Sequence, residues 1–111
     1  MKVTENFKFE EFECKHCGLN LINDRIVHRV QVVRDIIGRS ITVVSGCRCE
    51  THNGAVGGKP HSLHLTGEAV DFTCDGIGEV AELLNNWSGG YHYYPGQGFI
   101  HIDIGARRRW K

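Results

Sequence analysis

The sequence has little of what marks a membrane protein or a nucleic-acid-binding protein. No apolar run approaches the roughly 18 residues that a membrane-spanning helix needs, and residues 1–9 lack the apolar core of a secretory signal peptide. Positive and negative side chains are balanced at 13 each, which excludes a general electrostatic attraction to nucleic acid. We interpret the basic run at residues 107–109 as a solvated chain end. We therefore expect a protein that is synthesised in the cytoplasm, with no membrane span and no nucleic-acid partner.

Proline is scarce as well. Two prolines stand against 14 glycines, which favours tight turns over rigid linkers. The 111 residues suffice for one modest core and are too few for two. We predict a single domain over residues 1–111, and we expect a monomer.

Hydrophobic periodicity predicts two helices and a small sheet. Apolar residues recur at three- and four-residue spacing from Ile26 to Ile37, which predicts a helix of about 14 residues. It should begin at Asn23 or Asp24 and end at Gly38. A second helix is predicted over residues 76–87, strands over residues 41–44, 69–73, 91–94 and 99–104, and a long loop, or a loop with one helical turn, over residues 50–61. This order predicts an α+β domain with two helices packed on an antiparallel sheet.

Three residues of the types that bind zinc occur where this fold can bring them together. His64 and Asp71 flank a Thr-Gly turn, and residues 99–104 alternate so that His101 and Asp103 share one strand face. Two histidines and one aspartate around an open position are the ligands expected of a catalytic zinc ion. A single histidine is more often structural or solvated than a ligand, so the prediction depends on the combination.

Five cysteines, an odd number, occur in a chain without a visible secretory signal. In such chains spaced cysteines are metal ligands or buried thiols more often than disulfides. Cys14-x-x-Cys17 has the spacing of half a zinc knuckle, and Cys49-x-x-His52 supplies the other half. This pattern favours a second, structural zinc site. Reduced free thiols, or a redox pair of Cys14 and Cys17, are the open alternatives.

Several of these residues fall in motifs of a known family. Ser-Gly-x-Arg at residues 45–48 and Ser-x-His-x-x-Gly-x-Ala-x-Asp at residues 62–71 resemble the signatures of the zinc D-alanyl-D-alanine carboxypeptidase family. Phe-Ile-His-Ile-Asp-Ile-Gly at residues 99–105 resembles the closing motif of its small single-domain members, which include bacterial murein endopeptidases and phage lysins. The resemblance covers nearly the whole chain.

The resemblance implies a hedgehog/D,D-peptidase-like fold and a zinc ion held by His64, Asp71 and His101, with the fourth position open for water. It also implies that Arg48 lies in the cleft and binds a substrate carboxylate or carbonyl, for which its planar fork is suited. A structural ion pair is the alternative for Arg48. Ser62 is expected to hydrogen-bond near the site or to hold its loop. The expected partner is a peptidoglycan peptide that contains D-amino acids.

The resemblance leaves the proton-transfer residue open. Many relatives have Glu or Asp three residues before the last histidine ligand, where this chain has Gly98, and others have His two residues before it, where this chain has Phe99. Asp103 is the nearby carboxylate on the same strand face, and we predict it as the catalytic base. Orientation of a ligand is its alternative role. His92 and Tyr94 are the next candidates.

Three functions fit these observations. The leading one is a zinc-dependent peptidase that trims or cuts peptidoglycan stem peptides and cross-links, as a carboxypeptidase or endopeptidase, in phage or prophage lysis or in a phage tail. A second is a non-catalytic zinc-binding module of the same fold that binds cell-wall peptide or a protein partner, which the missing carboxylate before His101 favours. A third is a cysteine-zinc nucleic-acid module, which the neutral net charge disfavours.

Overall fold

The computed structural model describes residues 1–110 and places two helices against one face of a five-stranded sheet. In chain order the elements are α1 (Asp24–Ile37), β1 (Thr42–Ser45), α2 (Glu50–Ala55), β2 (Ala69–Thr73), α3 (Ile77–Leu84), β3 (Gly90–Tyr94), β4 (Phe99–Asp103) and β5 (Arg108–Arg109), with 3-10 turns at Phe9–Phe12 and Leu63–Thr66. The predicted α+β class is confirmed. Across residues 1–110, the helices are too short or too polar to span a bilayer.

The first helix begins and ends where the sequence predicts. The Asn23 side chain accepts a hydrogen bond from the backbone N–H of Arg25, which satisfies a donor that has no partner within the helix. At the other end Gly38 adopts a left-handed conformation with φ of 64°, and its N–H donates to the Arg34 carbonyl. Both predicted boundaries are confirmed.

The other helical segments lie where they were predicted but differ in extent. Residues 50–61, predicted as a long loop or a loop with one helical turn, contain the short helix α2, and the two helices that pack on the sheet are α1 and α3. The α3 helix stops at Leu84 although its apolar spacing continues to Trp87. Two asparagines, which are weak helix formers, follow Leu84. After the helix has ended, the Trp87 indole N–H donates to the Asp103 carbonyl at 2.8 Å.

The sheet has the strand order β1-β2-β4-β3-β5. The first four strands pair antiparallel as predicted, whereas β5 pairs parallel to β3, so the sheet is mixed. Part of the basic run at residues 107–109 is therefore paired with the sheet. Although its side chain is exposed, Arg109 donates through its guanidinium to the carbonyls of Gly89, Asn85 and Trp87, which fixes the run against the preceding turn.

The core lies between the helices and one face of the sheet. It combines buried side chains of α1 (Ile26, Val27, Val30, Val33), of α3 (Val80, Ala81) and of β2 and β4 (Val70, Phe72, Ile100, Ile102). Because side chains alternate along a strand, the residues between these apolar positions project from the opposite face. This confirms the alternation predicted for residues 99–104.

That opposite face carries a row of polar residues directly across four strands. Ser45 of β1 pairs with Asp71 of β2, Asp71 pairs with His101 of β4, and His101 pairs with His92 of β3. Paired residues of antiparallel strands have their Cβ atoms close together on the same face. The strand register therefore brings together residues that are far apart in sequence.

Candidate metal centre and its cleft

His64, Asp71 and His101 form one buried cluster whose potential ligand atoms all lie within 4.8 Å of one another. The Oδ1 atom of Asp71 lies 3.1 Å from Nε2 of His64 and 2.9 Å from Nδ1 of His101. Burial acts to raise the pKa of Asp71, but hydrogen bonds from His101 and His64 hold it well below its usual range. The three predicted ligands are thus adjacent in the structure.

The 3-10 turn Leu63–Thr66 places His64 beside the sheet. The Ser62 hydroxyl accepts a hydrogen bond from the backbone N–H of His64 at 3.2 Å and so caps the turn. Gly67 ends the turn with φ of 73°, and a Cβ added there would lie 2.0 Å from the Leu21 carbonyl oxygen. Ser62 therefore holds the loop that carries His64, which is one of its two predicted roles.

The contacts that His64 and His101 make on the side away from Asp71 indicate which of their ring nitrogens carry protons. Nδ1 of His64 lies 2.7 Å from the Gly46 carbonyl, which can only accept, so we place the proton on Nδ1. Nε2 of His101 lies 2.8 Å from Oδ2 of Asp103, which places a proton there. The remaining nitrogens, Nε2 of His64 and Nδ1 of His101, both lie within hydrogen-bond distance of Asp71 Oδ1. A metal ion bound here would take the place of the protons in these contacts, and two imidazoles with one carboxylate suit zinc.

Asp103 lies behind His101 rather than in the open space in front of the cluster. Its relative exposure is 0%, and besides His101 its carboxylate accepts from the N–H groups of Gly90 and Gly105 and from Arg108. Burial acts to raise the pKa of Asp103, but the hydrogen bonds from His101 and Gly90 lower it to about 2. Such burial argues against the predicted base role, since a base must reach the reacting water. It favours the alternative, orientation of His101.

Arg48 contacts the other side of Asp71. Its guanidinium donates to Asp71 Oδ2 at 3.0 Å, to the Ser45 hydroxyl at 3.1 Å and to the Asn53 side-chain oxygen at 3.3 Å. These contacts are those of the structural ion pair that was the alternative for Arg48. The same side chain also lines the cleft, and two of its five N–H groups are not used in these contacts.

A cleft of about 980 Å³ opens in front of the cluster. Its lining contains four cationic side chains, Arg48, Lys59, Arg108 and Arg109, and three half-buried aromatic side chains, Tyr94, Phe99 and Trp110. Asp71 is the one carboxylate among the cleft-lining residues of the described chain. The open space is therefore positively charged around a metal-type cluster, which suits a ligand that carries carboxylates.

The profile of the family described as Peptidase M15 matches residues 5–103. The chain belongs to the peptidase M15 family. This confirms the family resemblance of the motifs around Arg48, His64, Asp71 and His101.

Two relatives of this M15 chain carry functional names. It is 33% identical over 94 residues to the probable peptidoglycan L,D-endopeptidase MepK of Haemophilus influenzae, covering 76% of this chain and 50% of that protein. It is 32% identical over 80 residues to the peptidoglycan L,D-endopeptidase MepK of Escherichia coli K12, covering 65% of this chain and 44% of that protein. The M15 chain spans about half the length of these relatives.

An aromatic group borders the cluster in this M15 domain. The Trp110 ring stacks on His92 at 5.3 Å, meets His101 edge-on at 5.1 Å, and its indole N–H donates to the Tyr94 hydroxyl oxygen at 3.1 Å. Burial lowers the pKa of His92, which favours the neutral ring. His92 and Tyr94, both predicted candidates, thus lie near His101, and Tyr94 lines the cleft.

Sequence reasoning missed two residues of the M15 site. Arg108 donates to Asp103 Oδ2 at 2.6 Å, and its guanidinium lies 5.6 Å from the centre of the Trp110 ring. Arg108 belongs to the basic run that was interpreted as a solvated end, and Trp110 directly follows it; the run is exposed, but Arg108 and Arg109 also line the cleft. The available signal was the tryptophan directly after the basic run, because a large aromatic residue is seldom left fully in solvent.

The cysteines form a second cluster in the M15 domain. The Sγ atoms of Cys14, Cys17 and Cys49 lie within 4.8 Å of one another. The predicted fourth ligand, His52, is outside that group within the described chain. The ring of His16 instead lies beside it, with Nδ1 3.4 Å from Cys49 Sγ.

Proposed function

We propose that this chain is a zinc-dependent endopeptidase that hydrolyses peptidoglycan peptides. The observation that carries the proposal is the cluster of His64, Asp71 and His101, whose potential ligand atoms lie within 4.8 Å of one another beside an open cleft. Membership of a peptidase family and the names of the two relatives support the same activity.

The bond that we assign to it joins an L- to a D-configured residue of the stem peptide or cross-link. The relatives carry the name L,D-endopeptidase, and this is the reason for choosing it over removal of a terminal D-alanine. When bound at the cluster, zinc supplies Lewis acidity, which polarises a carbonyl and lowers the pKa of a water towards about 7.

The cationic lining gives the cleft its preference for peptides with free carboxylates. Lys59, Arg108 and Arg109 surround the opening, and Arg48 retains two N–H groups beside Asp71. Peptidoglycan stem peptides carry carboxylates along their length, so they complement this charge. We assign Arg48 both to the orientation of Asp71 and to a hydrogen bond with the substrate.

Proton transfer falls to groups other than carboxylates, because the one carboxylate found among the described lining residues is the candidate ligand Asp71. His92 lies beside His101 in the polar row and does not itself line the cleft, but its ring contacts Tyr94, which does, so we assign His92 to proton transfer by way of Tyr94. Tyr94 accepts the Trp110 N–H at its oxygen and thereby keeps its own O–H available to donate to a developing oxyanion. Asp103 orients His101 in this scheme.

The test uses cross-linked muropeptides and mass spectrometry of the products. We expect the zinc-loaded protein to cut within the peptide chain, and we expect the His64→Ala variant to be inactive. The exposed residue His28 offers a control, and His28→Ala should cut at the wild-type rate. Release of a single terminal residue would instead identify a carboxypeptidase. No product from fully zinc-loaded protein would contradict the proposal.

A second candidate is a non-catalytic module of the same fold that binds cell-wall peptide or a protein partner. The absence of a free carboxylate from the described cleft lining favours it. Tight binding of intact muropeptide without cleavage would identify this function. The phage or prophage setting and the monomeric state stay predictions.

A further inference from the structure

The cysteine cluster joins two segments that are distant in sequence. Cys14 and Cys17 follow the 3-10 turn Phe9–Phe12, whereas Cys49 caps the N-terminus of α2. All five cysteines of the chain are free thiols in the structure, with Cys14 buried, Cys49 half-buried and Cys17 exposed. Three thiols from two segments therefore meet at one point without a disulfide.

Backbone amides are directed at these sulfur atoms. The N–H of Cys49 donates to Cys14 Sγ at 3.3 Å, and the N–H of His52 donates to Cys49 Sγ at 3.4 Å. Amide donors stabilise the thiolate form that a metal ion requires of its cysteine ligands.

Two imidazoles lie at the same place. Nδ1 of His16 lies 3.4 Å from Cys49 Sγ, and the rings of His16 and His52 are parallel to within 4° with centroids 6.2 Å apart. In a tetrahedral zinc site with bonds of about 2.3 Å to sulfur and about 2.0 Å to nitrogen, those two ligand atoms are about 3.5 Å apart. The observed contact between His16 and Cys49 is close to that spacing.

We propose that Cys14, Cys17 and Cys49 bind a structural zinc ion, completed by the imidazole of His16 or His52. Three thiolates and one imidazole form a closed tetrahedral set with no position left for substrate, which is typical of structural rather than catalytic zinc. A redox pair would need only two of these thiols, whereas a metal accounts for all three and for the adjacent imidazoles.

This ion would fix the segment that leads to the other cluster. Between the cysteines, the N–H of Cys47 donates to the Phe12 carbonyl and the N–H of Arg48 donates to the His64 carbonyl. Cys49 directly follows Arg48, whose side chain contacts Asp71. A tie at Cys49 therefore holds the main chain on both sides of Arg48.

The test counts metal in protein purified under reducing conditions and measures the spectrum of the cobalt-substituted protein. We expect about two zinc ions per wild-type chain and a thiolate-to-cobalt charge-transfer band in the near ultraviolet. Cys49→Ser and the double variant Cys14→Ser/Cys17→Ser should each lose one ion and the band. Cys74→Ser is the matched control, because Cys74 is half-buried elsewhere and should keep both ions.

The two clusters give separable results. His64→Ala should lose one zinc but keep the thiolate band, whatever its peptidase activity. His16→Ala or His52→Ala should weaken binding of the ion that gives the band, and the affected variant identifies the imidazole ligand. The wild-type cobalt spectrum needs no variant to fold, and absence of a thiolate band in it would overturn the proposal. Full retention of the second ion in the cysteine variants would overturn the site. Its full retention in the double variant His16→Ala/His52→Ala would overturn the imidazole ligand.

Discussion

The histidine–aspartate cluster and the cysteine cluster are built in opposite ways. His64, Asp71 and His101 are buried beside strands or on them, and each has a further protein partner that fixes its orientation. The cysteines lie on a loop and at a helix end, with Cys17 exposed, and their sulfurs accept from backbone amides. The sheet thus holds the residues of the first cluster in place, whereas the second cluster joins two segments outside the sheet, and the zinc ion proposed there would strengthen their connection.

This difference predicts which property of the protein each proposed ion would affect, the chemistry at its site or the stability of the fold. An ion in a preformed site changes the chemistry at that site more than the stability of the fold, since the strands already hold the ligands. An ion that joins two segments adds its binding free energy to folding. The following predictions test this division, beginning with the largest effect.

The largest effect should come from Asp71→Asn. This change removes the charged ligand and leaves Arg48 facing a neutral amide. We expect the rate of muropeptide hydrolysis to fall by at least about 10³-fold, because a neutral amide is a poor zinc ligand and the cluster would no longer retain the ion that activates water. Near-ultraviolet circular dichroism should still show a folded chain with the thiolate–metal cluster intact. Hydrolysis within tenfold of the wild-type rate would contradict a metal role for Asp71.

Asp103→Ala should have the next largest effect. Without Asp103, His101 loses the partner that orients its ring, and we expect zinc affinity at the sheet cluster to fall about 10- to 100-fold. Asp103→Asn, which keeps an acceptor for His101, should recover part of the loss. Competition with a chromophoric chelator measures the affinity. Unchanged affinity with lost turnover would restore the base role that was predicted from the sequence.

Removal of metal should lower stability mainly through the cysteine cluster. We expect a strong chelator to lower the melting temperature of wild type and of His64→Ala by a similar amount, on the order of 5 °C or more. The double variant Cys14→Ser/Cys17→Ser should respond much less. Differential scanning calorimetry at fixed chelator concentration measures this. An equal drop in the cysteine variant would assign the stabilising ion to the sheet cluster instead.

The smallest effect should come from Arg108→Ala. Arg108 contacts Asp103, but 44% of its side chain is exposed, so solvent screens the interaction. We expect zinc affinity to fall about two- to fivefold, which corresponds to a pair worth about 0.4–1 kcal/mol. Arg107→Ala is the control, since Arg107 is exposed and no side-chain hydrogen bond of it is found within residues 1–110. Equal effects of the two changes would show that only net charge matters.

Local patterns in the sequence predicted the parts of the molecule that local physics decides. The caps of α1 at Asn23 and Gly38 and the alternation around His101 follow from backbone geometry within a few residues. The hydrogen bond between Arg108 and Asp103 could not be predicted in this way, because it depends on β5, a two-residue strand that pairs parallel to β3. A strand that short has no periodicity to detect.

The cysteine cluster shows the same limit. The spacing of Cys14, Cys17 and Cys49 indicated that they belong together, and their sulfur atoms do meet. The same spacing favoured His52 over His16, although the His16 ring is the one that lies 3.4 Å from Cys49. The spacing of residues along the chain indicates which side chains can meet. Which histidine ring faces the cysteines depends instead on how the two segments pack against each other.

A metal ion bound by His64, Asp71 and His101 would also favour the native pairing of the strands, because the register of the polar row brings two of these ligands together. A shift of β4 by one residue against β2 would turn His101 into the apolar layer and bring an isoleucine to face Asp71. A chain paired in that way would lack one of the three metal ligands. An ion at this cluster would bind only the native arrangement, so raising its concentration would widen the free-energy gap between that arrangement and chains with shifted strand pairing.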